Sequence, residues 1–136
     1  MILTTDFDNT LARKLKDKKE LTPANKVIDF IKDKQNNGYE IHIVTLRNEN
    51  VLSKSEITNF CDANNIKIKS INFIKDKNYE KKAAKILKLK SSLHLDDNWD
   101  VCKLCIEKNI RAIYIKWQMG FSVNFVDLKK MIDNVK

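Results

Sequence analysis

The opening run Ile2-Leu3-Thr4-Thr5-Asp6-Phe7-Asp8-Asn9-Thr10-Leu11 constrains this chain more than any other segment. A short apolar and β-branched stretch ends in two aspartates at positions i and i+2. In an extended strand alternate side chains share a face, so Asp6 and Asp8 point the same way. Two carboxylates on one face repel unless a cation sits between them or one holds a proton. A chain carries such a cost at the end of a strand when it needs the charge there. In an open α/β sheet, the carboxyl end of a strand is where ligands bind.

The rest of the sequence supplies that sheet. Ile2 to Thr5, Glu40 to Val44, Ile66 to Ile74, Ser92 to Leu95 and Ala112 to Trp117 read as five strands. Between them come helical patterns. Thr22 is the expected N-cap of the first helix and Pro23 its first helical residue, with Val27, Ile28, Phe30 and Ile31 as the apolar stripe. Asn36-Asn37-Gly38 ends it. Further helices are expected over Ser53 to Asn64, Glu80 to Leu89, Asp100 to Lys108 and Phe125 to Val135, with Arg13 to Glu20 as a charged connection. Strands alternating with helices predict a parallel, three-layer α/β sheet.

A chain of 136 residues fits one domain with a real core, so residues 1–136 read as a single domain. With 2 glycines and 1 proline there is no flexible linker to divide it. No run approaches the ~20 apolar residues of a membrane span, and aspartates near the start argue against a signal peptide. A cytoplasmic protein with no membrane partner is expected. Three cysteines, an odd count, fit a reducing compartment better than a disulfide framework. Cys102-Lys103-Leu104-Cys105 lacks the second pair of a zinc site and reads as helix core. The net charge of +8 invites a nucleic-acid partner, but the lysines are spread over every helix instead of gathered in one stripe, so that reading is not favoured. His42 and His94, inside strands, read as core or sheet-face residues.

A parallel sheet brings its strand ends to one edge. There it collects Asp6 and Asp8, then Thr45, then a lysine cluster (Lys81, Lys82, Lys85), then Asp96-Asp97-Asn98-Trp99-Asp100. Acids, a hydroxyl and a cation suit phosphoryl transfer through a carboxylate nucleophile with a magnesium ion.

In this arrangement the chain resembles the haloacid dehalogenase (HAD) superfamily of phosphatases and phosphotransferases. Asp6-Phe7-Asp8-Asn9-Thr10 matches its first motif, D-x-D-x-T; Ile41 to Thr45 the second; Lys82, or its neighbour Lys81, the third; Leu95-Asp96-Asp97 with Asp100 the fourth. The fourth motif has Leu95 where a glycine is often found, which leaves the metal-ligand choice among Asp96, Asp97 and Asp100 open. Ile86 and Leu89 follow Lys82 at helical spacing, which puts Lys82 on the buried face and favours it over Lys81.

The resemblance implies a five-stranded parallel sheet in the order 5-4-1-2-3, the strands being numbered along the chain. It implies Asp6 as nucleophile, Asp8 as general acid and base, and Thr45 and Lys82 as phosphate holders and charge screens. It implies Mg²⁺ on Asp6, Asp96, Asp97 and the backbone carbonyl of Asp8, with Asp100 in support. Asn9, Thr10 and Arg47 are the expected substrate-binding residues. The motif spacing leaves no room for a cap domain. An open site fits a phosphorylated polymer end, or a small metabolite if a homo-oligomer supplies the missing wall. Trp117, Met119 and Phe121 follow the fifth strand to the same edge and could supply a wall. The expected reaction is phosphomonoester hydrolysis through an aspartyl-phosphate. A phosphate-binding scaffold without turnover and a nucleic-acid end phosphatase are the alternatives. A receiver-type signalling domain fits poorly, because its phosphorylated aspartate ends a middle strand.

Overall fold

The computed structural model describes residues 1–15, 19–118 and 122–135. The strands are β1 (Ile2–Thr5), β2 (Ala12–Lys14), β3 (Leu21–Pro23), β4 (Glu40–Thr45), β5 (Ile68–Phe73), β6 (Leu93–Asp96), β7 (Arg111–Trp117) and β8 (Val123–Asp127). The helices are α1 (Asn25–Asn36), α2 (Val51–Ala63), α3 (Tyr79–Lys88), α4 (Trp99–Glu107) and α5 (Leu128–Val135).

The main sheet has six strands in the order β5-β4-β1-β6-β7-β8. The first five are mutually parallel, with Leu3 opposite both Ile41 and Leu93. They are the five strands expected from the sequence, in the order the resemblance implies. The sixth strand corrects that expectation. β8 runs antiparallel to β7, pairing Ile115 with Phe125 and Trp117 with Val123. The helix expected from Phe125 therefore begins at Leu128.

Period-two alternation along the strands builds two cores, one on each face. Leu3, Ile41, Ile43, Leu93, Leu95 and Ile113 pack with Val27 and Ile31 of α1 and with Ile57 and Phe60 of α2. Val44 and Ala112 pack with Ile86 of α3, Val101, Cys102 and Cys105 of α4, and Leu128 of α5. The result is helix, sheet, helix.

Three helices open on asparagine caps. The side chains of Asn50, Asn78 and Asn98 accept the backbone N–H of Ser53, Lys81 and Val101 at 2.8, 2.9 and 3.0 Å. These caps stop the chain cleanly as it leaves the carboxyl edge of the sheet. α1 is different. Its N-cap is Ala24, with no side-chain cap. Thr22 and Pro23, expected to cap and open it, lie in β3, which pairs antiparallel with β2. The expected charged connection thus carries a small hairpin. Among the described residues there is no cap domain and no helix long and apolar enough to cross a membrane. Met119 and Phe121 lie outside the described residues.

Candidate functional site

The site starts from the end of β1. The backbone N–H of Asp6 donates to the carbonyl of Leu95 at 2.9 Å, which carries the β1–β6 pairing one residue beyond the end of β1. Asp6 and Asp96 are thereby held side by side. Just after them the chain turns sharply. Leu11 and Ala12 donate to the Phe7 carbonyl, and Asn9 takes a left-handed φ of 59°, which asparagine tolerates. The indole N–H of Trp117 donates to the Asn9 carbonyl, and the Arg13 guanidinium lies 4.9 Å from the centre of the Trp117 ring. Trp117 therefore braces the turn.

Lys82 reaches this pair from α3. Its ammonium lies 2.9 Å from Asp6 Oδ1 and 2.9 Å from Asp96 Oδ2, and its side chain is almost fully buried. Lys81 is exposed and pairs with Asp76 at 3.5 Å. Of the two lysines, the structure brings Lys82 into the cluster.

The remaining oxygens are also held. Thr10 is buried and its hydroxyl donates to Asp6 Oδ2 at 3.1 Å while accepting the Asp97 N–H at 3.1 Å. Thr10 thus stands behind the nucleophile candidate and not in the open pocket. Asp96 Oδ1 accepts the Asn98 N–H at 3.0 Å, and Asp96 Oδ2 lies 2.8 Å from His94 Nε2. His94 Nδ1 lies 2.9 Å from the Thr4 hydroxyl.

Asp6, Asp96 and Asp97 each present a carboxylate oxygen, all within 4.8 Å of one another. Three carboxylates face one ammonium, and the protonation behaviour reflects it. Burial and the charge of Asp96 push Asp6 above its ordinary range, against the pull of Lys82. Asp97 is pushed up to about 8 by burial and by Asp6. Burial opposes ionisation of Asp96 too, but the Lys82 charge and the His94 contact outweigh it and hold Asp96 at about 2. Lys82 itself is held above the usual lysine range by its two acids, despite burial. An all-oxygen donor set whose three carboxylates, once ionised, outnumber the one ammonium fits a hard divalent cation such as Mg²⁺. The cluster can bind a metal ion.

Thr45 ends β4 on the same edge, buried, its hydroxyl accepting the Arg47 N–H at 3.2 Å. Arg47 grips Asp8 with two bonds, Nε to Oδ2 and Nη2 to Oδ1, each 2.7 Å. Its Nη1 lies 2.7 Å from Glu56 of α2, and its guanidinium lies over the Phe7 ring at 5.1 Å. The hydrogen bonds it donates to Asp8 hold Arg47 well above the usual range, against partial burial.

Asp6, Asp8, Asn9, Thr45, Arg47 and Lys82 line one open pocket of about 660 Å³, together with Asp96 and Asp97. Asp100 is not brought there. It is exposed in the first turn of α4 and borders a different hollow with Asp76 and Glu107. Cys102 and Cys105 are fully buried in α4, and burial raises both thiols, Cys105 to about 12. Their place is in the core, as the sequence suggests.

Two contributors were not singled out by sequence. His94 precedes Asp96 by two residues on one strand, so period-two alternation alone places them on one face. Glu56 carried no local signal, because its link to Asp8 runs through Arg47.

The fold and cluster define an α/β domain with a buried acidic site suited to a metal ion. No protein-family model matches the chain, and no curated protein matches it in sequence. Solved structures do match. A chain of the Pnkp1/Rnl/Hen1 complex superposes with a TM-score of 0.66 at 16% identity, covering 82% of this chain and 44% of that one. A chain of the Pnkp1/Rnl/Hen1 RNA repair complex superposes with a TM-score of 0.61 at 16% identity, covering 78% and 39%. This chain spans less than half the length of either. At that identity the likeness establishes the fold, which resembles part of an RNA repair complex.

Proposed function

We propose that this chain is a capless HAD-type domain and a magnesium-dependent phosphomonoester hydrolase. The observation that carries the reading is the convergence of the Asp6, Asp96 and Asp97 oxygens within 4.8 Å at the carboxyl edge of the sheet. The Lys82 ammonium, bridging Asp6 and Asp96, completes it. Three buried free thiols agree with a cytoplasmic setting.

The chain's own groups divide the work. Asp6 attacks phosphorus and forms an aspartyl-phosphate as the bond to the leaving oxygen breaks. Asp8 gives that oxygen a proton, then takes one from the water that cleaves the aspartyl-phosphate. The Thr45 hydroxyl accepts from Arg47 N–H, so its own proton is available to a phosphoryl oxygen. Lys82 keeps the Asp6 charge from repelling the incoming phosphate. Thr10 fixes the Asp6 carboxylate from behind. Mg²⁺ would be held by the carboxylates of Asp6, Asp96 and Asp97 with the Asp8 carbonyl, and when bound it would neutralise developing charge on the phosphoryl oxygens.

The test is turnover of p-nitrophenyl phosphate with Mg²⁺ by the wild-type and Asp6→Asn proteins. The expected result is Mg²⁺-dependent release that Asp6→Asn abolishes, because an amide cannot attack phosphorus. Retained activity in Asp6→Asn removes Asp6 as nucleophile. No hydrolysis across a broad panel of phosphate esters favours a phosphate-binding scaffold instead. A phosphorylated polynucleotide end stays as the alternative substrate, supported by the uncapped pocket and the net charge of +8.

A further inference from the structure

We propose that Lys14 and Lys77 form a second anion subsite in the pocket, which selects a phosphomonoester with another phosphate group close by. The proposal rests on the phosphatase reading of Asp6. Both lysines line the pocket that holds Asp6, Asp8 and Thr45. They come from separate elements, Lys14 from β2 and Lys77 from the turn Lys75–Lys77. The pocket, at about 660 Å³, has far more room than one phosphoryl group fills.

The other cations in it are already committed. Lys82 is spent on Asp6 and Asp96, and Arg47 on Asp8 and Glu56. Among the described residues, Lys14 and Lys77 take part in no ion pair. A second phosphate entering this acid-rich pocket needs positive charge that is not yet neutralised, and these two ammonium groups supply it.

The backbone at Lys77 supports the assignment. Asp76 and Lys77 are consecutive non-glycine residues at φ of 63° and 47°. Left-handed backbone is costly for a lysine, and such strain persists only where the surroundings impose it. The Ile74 N–H donates to the Thr45 carbonyl at 2.8 Å, tying the turn to the end of β4. The Asp76 carboxylate pairs with Lys81, not Lys77. Lys77 also borders the hollow with Glu80, Asp100 and Glu107, whose carboxylates are the competing neighbours for its ammonium.

The experiment compares a nucleoside 3′-monophosphate with the matching nucleoside 3′,5′-bisphosphate and a 3′-phosphorylated oligonucleotide. It reads kcat/KM in catalytically competent protein and affinity in the Asp6→Asn background. Wild type should prefer the probes that carry a second phosphate by about tenfold or more, and Lys14→Gln or Lys77→Gly should each cut that preference about tenfold. Glycine suits the left-handed turn, so Lys77→Gly keeps the backbone while removing the charge. Lys77→Arg should restore the preference. Preference for both probes identifies a compact bisphosphate as sufficient; preference for the oligonucleotide alone identifies a polymer end. The proposal is overturned by equal affinity for mono- and bisphosphorylated probes, or by a preference that both substitutions leave intact. Because affinity is read without turnover, a wild-type protein that hydrolyses nothing would remove the phosphatase reading and still decide the subsite.

Discussion

Arg47 holds Asp8 by both carboxylate oxygens, at 2.7 Å each. In this arrangement both oxygens of the group proposed to protonate the leaving oxygen already accept from Arg47. A proton carried on either oxygen competes with that grip and loosens it. Glu56, 2.7 Å from the far side of Arg47, is placed to take up the freed charge. Arg47 therefore both orients Asp8 and restrains it. Replacing Arg47 with Lys should keep a charge and lose the two-bond grip. The expected outcome is a fall in kcat/KM of roughly 10- to 100-fold, from loss of a charged bidentate pair. Steady-state kinetics check it, and a wild-type rate in Arg47→Lys would end the orienting role.

Asp8→Asn should matter most where the leaving oxygen is a poor one. General acid catalysis contributes about 10²–10⁴-fold, and a phenolate that leaves unaided needs little of it. Loss on an alkyl phosphate should exceed loss on p-nitrophenyl phosphate by at least about tenfold. Asp8 is only partly buried and is no member of the Asp6, Asp96 and Asp97 cluster, so the fold and Mg²⁺ binding should persist. Equal losses on both esters would place Asp8 outside proton transfer.

The sequence carried the centre of this site better than its surroundings. Strand alternation with helices puts Asp6 and Asp96 at one sheet edge, and the strand order implied by the resemblance makes their strands neighbours, as they are. Helix phase was enough to separate Lys82, fully buried, from Lys81, exposed. What failed was information held in distant pairings. Phe125, Leu128, Met131 and Ile132 fall at helical spacing, yet residues Val123–Asp127 pair with β7 and become an edge strand. Thr22-Pro23 is a sound local helix start, but pairing with Ala12 and Arg13 draws it into a hairpin. The Arg47 to Asp8 bond spans 39 positions, and nothing local at either end announces it.

Lys82→Met should destabilise the protein, because it leaves Asp6 and Asp96 buried together without their ammonium. Removing one partner of a buried ion pair costs roughly 3–5 kcal/mol. Adding Asp96→Asn to Lys82→Met should recover part of that loss, since the remaining negative charge is smaller. Denaturant titration of the single and double variants measures this. A Lys82→Met protein as stable as wild type would mean that its ammonium does not neutralise the cluster.

Asp97 gives the cluster a pH signature. Its carboxyl is pushed up from 3.8 to about 8 in the fold, by burial and by the charge of Asp6. Between those values the folded protein keeps a proton that the unfolded chain has lost. Stability therefore falls as pH rises through this window, and the loss is complete above about 8. Asp6, also raised, acts in the same direction. Asp96 does not interfere, because its stabilising effect is lost only as pH falls from 3.8 toward about 2. Lys82 does not either, since its effect is lost only as pH climbs above 10.5. A divalent cation bound by the ionised carboxylates should offset the alkaline loss. In chelator the melting temperature should fall between about pH 6 and about pH 9, and Mg²⁺ should raise it more at the higher pH. Asp97→Asn should flatten the slope in chelator and shrink the Mg²⁺ effect. If Asp97→Asn keeps the wild-type slope and the full Mg²⁺ shift, Asp97 neither titrates in this window nor holds the ion.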